Sequence, residues 1–102
     1  METVCLYRAV CLKEFEDISA NGKFRSIPGS LEGKWFAETL HDAKVWGRLL
    51  FGTEPFRVVS ATVPLQIATA FFRLDRLDNI GPARFGDSDQ LGSAVIIQVL
   101  DV

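Results

Sequence analysis

EGKWFAETLHDAKVWG, Glu32 to Gly47, changes its period halfway along. Lys34 to Glu38 is a brief strand, so Trp35 and Phe36 point to opposite faces. Thr39 followed three residues later by Asp42 resembles a capping box with Asp in place of Glu. Leu40, Ala43, Trp46, Leu49 and Leu50 then recur at helical spacing until Gly52. A strand that feeds a capped amphipathic helix is the unit around which the rest of the chain is read.

Upstream, Thr3 to Val10 alternates Val4, Leu6, Arg8 and Val10 against Cys5, Tyr7 and Ala9, which predicts a strand. Leu12, Phe15 and Ile18 recur every three residues up to Asn21-Gly22, a helix with a left-handed stop. Lys23 to Gly33 carries Pro28 and two glycines without a period and is a long loop. Downstream, Phe56 to Val63 is a β-branched strand ended by Pro64. Leu65 to Leu77 is ambiguous between helix and strand, Asn79 to Gly92 is expected to be a loop, and Ser93 to Leu100 is a closing strand. Helices are too few to join every strand pair by a crossover, which predicts an α+β fold with a mostly antiparallel sheet and two main helices.

The chain's 102 residues, 48% of them hydrophobic, suit a single domain spanning 1–102. Eleven basic against thirteen acidic residues give a net charge of −2, which offers no global attraction to nucleic acid or an anionic membrane. Two cysteines and one histidine, His41, cannot assemble a structural zinc set, so no metal is expected. The apolar runs are too short to span a bilayer, and the start of the chain lacks a signal-peptide pattern; a soluble protein is expected.

The candidate functional groups are few. Arg8 lies on the face of Leu6 and Val10, where a guanidinium needs a partner. It is either a fork for phosphate or carboxylate, or an arginine on an exposed strand face or in a structural ion pair. Trp35 and Phe36 are core aromatics or a pocket wall, and Trp46 is core by its helical register. His41, in the first helical turn, is a surface residue. Asp87, Asp89 and Gln90 sit in a glycine-flanked loop where catalytic groups often concentrate, although solvated turns have the same composition.

The order of these pieces resembles the NAD-binding core of the ADP-ribosyltransferase superfamily. LYRAV on the first strand is followed by a helix and then by GKWFAETLHDAKVWG as strand and capped helix. More narrowly, GKFRSIPGSLEGKWFAETLHDAKVWG and RLDNIGPARFGDSDQL are similar to the toxin tips of Rhs polymorphic effectors, including type VI secretion effectors that modify elongation factor Tu. The resemblance implies a small split antiparallel sheet that uses NAD as substrate. It implies that Arg8 holds the phosphate and ribose region, with Arg25 a further phosphate contact and Ser30 a further NAD contact. Lys34 to Glu38 would pair its backbone with the nicotinamide amide, and Trp35 or Phe36 would pack on the ring. The family's third motif offers a glutamate, where this chain has Asp87-Ser88-Asp89-Gln90, so Gln90 becomes the orienting residue. Some branches of the superfamily use glutamine there. The Ser-Thr-Ser of the arginine-modifying toxins is replaced by Trp35-Phe36-Ala37, which leaves the acceptor unread. The expected partners are elongation factor Tu and a cognate immunity protein, with no membrane; RNA as acceptor is disfavoured by the charge. The expected site of action is the cytoplasm of a target bacterium, after secretion.

Overall fold

The computed structural model describes residues 2–21, 33–87 and 96–100. The first strand, β1, spans Thr3–Cys11 and passes directly into helix α1, Leu12–Asn21. Strand β2, Gly33–Ala37, leads through Glu38 and Thr39 into α2, Leu40–Phe51. Thr39 is the N-cap: its hydroxyl accepts the backbone N–H of Asp42 at 3.2 Å. Gly52 ends the helix at φ 61°, and its N–H returns to the carbonyl of Arg48. Strand β3, Phe56–Pro64, follows. The ambiguous segment after it contains both structures, a short helix α3, Leu65–Ala70, and a strand β4, Phe72–Leu77.

The expected loop over Asn79 to Gly92 is corrected over its first half. Gly81–Asp87 is a strand, β5, hydrogen-bonded on both sides. Its glycines and Pro82 conceal it, because proline cannot donate to a ladder. The structure accommodates Pro82 where neither neighbour needs its N–H. Pairing with β2 ends at Ala37↔Ala83, and pairing with β4 is irregular between Leu74 and Leu77, opposite Pro82. The hairpin between β4 and β5 turns through Asp78 and Asn79, both at positive φ, with the Ile80 N–H bonded to the Leu77 carbonyl. Asp and Asn tolerate that left-handed geometry best among non-glycine residues. The final strand, β6, is Ile96–Leu100. The helix stop at Gly22, the loop over Lys23 to Glu32, and Ser88 to Val95 of the third motif and closing strand lie outside the described residues.

Among the described residues, the six strands form one sheet in the order β4-β5-β2-β1-β3-β6, with every pairing antiparallel. The fold class is therefore α+β, as the sequence implies. α1 and α3 cover one face, where Leu6, Val10, Phe36, Val59, Ala61 and Val63 pack with Ile18 and Ala68. α2 covers the other, where Ala37, Val58 and Ala83 pack with Ala43 and Trp46. β3 is buried on both faces from Val58 to Ala61, which explains why that stretch carries no charged residue and no strict apolar–polar alternation.

The sheet is not uniformly stitched. β1 pairs with β3 at nine successive positions and β2 with β5 at five, but β1 meets β2 at a single position, Tyr7↔Ala37. Two three-stranded halves, β4-β5-β2 and β1-β3-β6, thus meet at a seam with almost no backbone ladder. No helix among the described residues is long and apolar enough to cross a membrane.

Candidate functional site

At the seam the work of the missing ladder passes to a side chain. The alternation of β1 puts Arg8 on the α1 face with Leu6 and Val10, and its guanidinium reaches across to β2. Its Nη1 donates to the Trp35 carbonyl at 3.1 Å. Its Nε and Nη2 together donate to the two carboxylate oxygens of Glu14, at 2.8 and 3.0 Å. Glu14 stands in the first turn of α1, a position the helix dipole favours for an acid. Because α1 begins the residue after β1 ends, it folds back over the strand and brings Glu14 above Arg8. Lys34, on the same face of β2, lies with its Nζ 3.8 Å from Glu14 Oε1. The Arg8 and Glu14 side chains are 20% and 17% exposed and that of Lys34 is 11% exposed, so the cluster is largely buried with partial access to solvent. One carboxylate between two cations leaves a net charge of +1.

On the opposite face, the same stretch of seam opens into a cavity of about 330 Å³, lined along the two strands by Tyr7, Arg8, Ala9, Trp35, Phe36 and Ala37. α2 closes it with Ala43, Trp46 and Leu50, and the β4–β5 hairpin with Leu77, Asp78 and Ala83. The Trp46 indole N–H donates to Asp78 Oδ2 at 3.2 Å, tying the hairpin to the helix. Trp46 is 8% exposed and is core, as its register implies. Trp35 is half-buried, with its ring 5.2 Å from that of Phe85 and 6.1 Å from that of the exposed Phe72. The Tyr7 hydroxyl is held above its ordinary pKa, first by hydrogen bonding to the Cys5 thiol on the same strand face, then by its charge and by burial.

A second polar group borders β2. Glu38 accepts from Arg73 Nε and Arg84 Nε, both at 2.8 Å, and Arg84 Nη1 also donates to the Ala68 carbonyl. Hydrogen bonding from Arg73 is the main cause that holds the Glu38 carboxyl below its ordinary pKa; burial opposes it, and Arg84 reinforces it by hydrogen bond and charge. Arg73 is itself raised, first by Glu38 and then by Asp75. This network fastens β2, β4 and β5 together and leads back to α3.

Of the residues singled out from sequence, Arg8 and Lys34 come together around Glu14. Trp35 and Phe36 separate. Trp35 faces the cavity under α2, whereas the Phe36 ring is 1% exposed and packs in the α1-face core, 6.3 Å from the ring of Phe71. His41 is exposed. Arg25, Ser30 and Gln90 lie outside the described residues, so their relation to the seam is not described.

Glu14, Asp78 and Tyr7 escaped the sequence reading. For Glu14 a signal existed: an inward-facing arginine on a strand needs an acid, and the helix that starts at the strand's end can supply one in its first turn. For Asp78 none did, since the hairpin itself went unread. Among the described residues no cluster of His, Cys, Asp or Glu could hold a metal ion. No family model, curated protein or solved structure matches the chain.

Proposed function

We propose that the chain is a mono-ADP-ribosyltransferase toxin domain that uses NAD at the β1–β2 seam. The observation that carries this reading is the parting of β1 from β2 around Arg8, with a two-cation cluster on one side and an aromatic-walled cavity on the other. A dinucleotide offers matching chemistry: a diphosphate for Arg8 and Lys34, and a flat ring for Trp35. We assign the ring contact to Trp35 because Phe36 is committed to the core.

The reaction breaks the bond between ribose C1 and the nicotinamide nitrogen, and nicotinamide departs with the bonding pair. The acceptor's nucleophilic atom forms the new bond to C1 and releases its proton to solvent. Positive charge builds on the ribose in the transition state, and the chain's contribution is to hold the reacting groups in line. Gln90 is proposed to hydrogen-bond a ribose hydroxyl; an amide orients the sugar but adds no full charge. Arg25 and Ser30 are proposed NAD contacts on the resemblance alone. Elongation factor Tu is the proposed acceptor, a cognate immunity protein the proposed partner, and the cytoplasm of a competing bacterium the proposed site of action.

A rival reading, a non-catalytic protein-binding module of the same fold, draws on one observation: the Arg8 fork is already filled by Glu14. Incubating the purified domain with labelled NAD and a bacterial lysate separates the two. Label on one protein band supports transfer, free ADP-ribose marks a hydrolase, and neither product supports the binding module. Within the transferase reading, Gln90→Ala lowers turnover with an unchanged circular dichroism spectrum; unaltered turnover removes Gln90 from the site.

A further inference from the structure

We propose that Glu14 is a resident counter-ion: its carboxylate occupies the anion position between Arg8 and Lys34 and must leave before a diphosphate can bind there. The ligand's identity rests on the NAD reading above, whereas the counter-ion role rests on geometry alone. A carboxylate that receives Arg8 side-on through Nε and Nη2 fills the edge of the guanidinium best suited to a phosphate. The same carboxylate draws the Lys34 ammonium to 3.8 Å, so one acid holds both cations of the cluster. A diphosphate carries oxygens on two adjacent phosphorus atoms and can satisfy the fork and the ammonium together.

The contacts also say which partner moves. Arg8 is tied to the Trp35 carbonyl by Nη1, a bond in which Glu14 takes no part. The acceptor contacts of the Glu14 carboxylate among the described residues run to Arg8 and Lys34. Its side chain has three rotatable bonds and is 17% exposed, so it can swing toward solvent once an entering anion takes over the charges of Arg8 and Lys34. Glu14 therefore keeps the two cations aligned while the site is empty and competes with any anion that enters. It is a positioning residue that sets affinity, and it takes no part in bond breaking.

The test is calorimetric titration of inorganic pyrophosphate, at low salt, into the wild-type domain and Glu14→Gln, with NAD titrated in parallel. Removing one negative charge a few ångströms from a multivalent anion in partly screened surroundings tightens pyrophosphate binding about tenfold. Adding Lys34→Met to Glu14→Gln reverses that gain. Binding by Glu14→Gln that equals or falls below wild type overturns the proposal, because Glu14 would then support Arg8 without blocking it. If Glu14→Gln fails to fold, Glu14→Met carries the same test: it removes the charge and keeps the length of the side chain, so the same tightening of pyrophosphate binding is expected, and its absence overturns the proposal. The NAD arm separates the two readings. A pyrophosphate gain without NAD binding in either protein keeps the counter-ion and removes the NAD site. Equal NAD and pyrophosphate affinities in both proteins remove the counter-ion and keep the NAD site.

Discussion

Arg8→Lys keeps the charge at the seam and removes the fork. The wild-type guanidinium makes three hydrogen bonds, two to Glu14 and one to the Trp35 carbonyl. A lysine ammonium is a point donor, so it retains one contact to Glu14 and cannot also span to β2. The loss is one charge-assisted bond and the donor of a half-buried carbonyl, together about 2 kcal/mol once partial solvent access to both is allowed for. In a domain of this size that corresponds to a fall of about 8–16 °C in melting temperature. The seam should suffer more than the whole, because the sheet has one backbone pairing there, Tyr7↔Ala37, to hold the halves together. Thermal melts by circular dichroism read the first quantity, and amide exchange at Trp35 and Ala37, compared with β3, reads the second. A variant that melts within about 4 °C of wild type, with equal protection on both strands, would show that the fork does not hold the seam and would refute the reasoning. In the labelled-NAD assay below its melting temperature, the folded variant is expected to lose turnover; full turnover would remove Arg8 from the proposed site.

Four further substitutions probe the core, the cavity wall, the α2 packing and the Glu38 network. Phe36→Ala should cost about 3–5 kcal/mol in a denaturant titration because its ring is fully packed, whereas Trp35→Ala should cost far less and abolish NAD binding; NAD binding that survives in Trp35→Ala returns the ring contact to Phe36. Gly47→Ala sets a helix-propensity gain of about 1 kcal/mol against overlap of the new Cβ with the Phe56 ring, which is itself stacked on Phe51 at 5.8 Å; overlap should win and lower the melting temperature, and a rise would mean that Phe56 yields. Glu38→Gln should lower the melting temperature by about 3–5 °C at neutral pH, discounted for solvent screening of its arginine partners. The folded-state pKa of Glu38 is depressed, so its contribution is present above the unfolded value and vanishes as pH falls through the folded one. The gap between variant and wild type must therefore close below the ordinary carboxylate range, and a gap that is the same at pH 7 and pH 3 contradicts the ion-pair assignment.

Period and punctuation in the sequence determine β1, α1, β2, α2 and β3, since each has its own alternation, helical spacing, cap or stop written locally. Thr39 and Gly52 bracket α2 because capping depends on a few neighbouring residues and little else. Local chemistry also places Arg8 on the face of Leu6 and Val10, makes Trp46 core and sends Trp35 and Phe36 to opposite faces. It cannot show β5, whose glycines and proline are tolerated only because β2 ends and β4 bulges opposite Pro82. Nor can it choose which of the two aromatics meets the cavity, because that depends on which helix covers which face of the sheet. Most of all, the seam is a tertiary fact. Whether β1 zips fully to β2 or meets it at one position is decided by long-range register, and only that register converts Arg8 from an inward-facing cation into a bridge held between Glu14 and the Trp35 carbonyl.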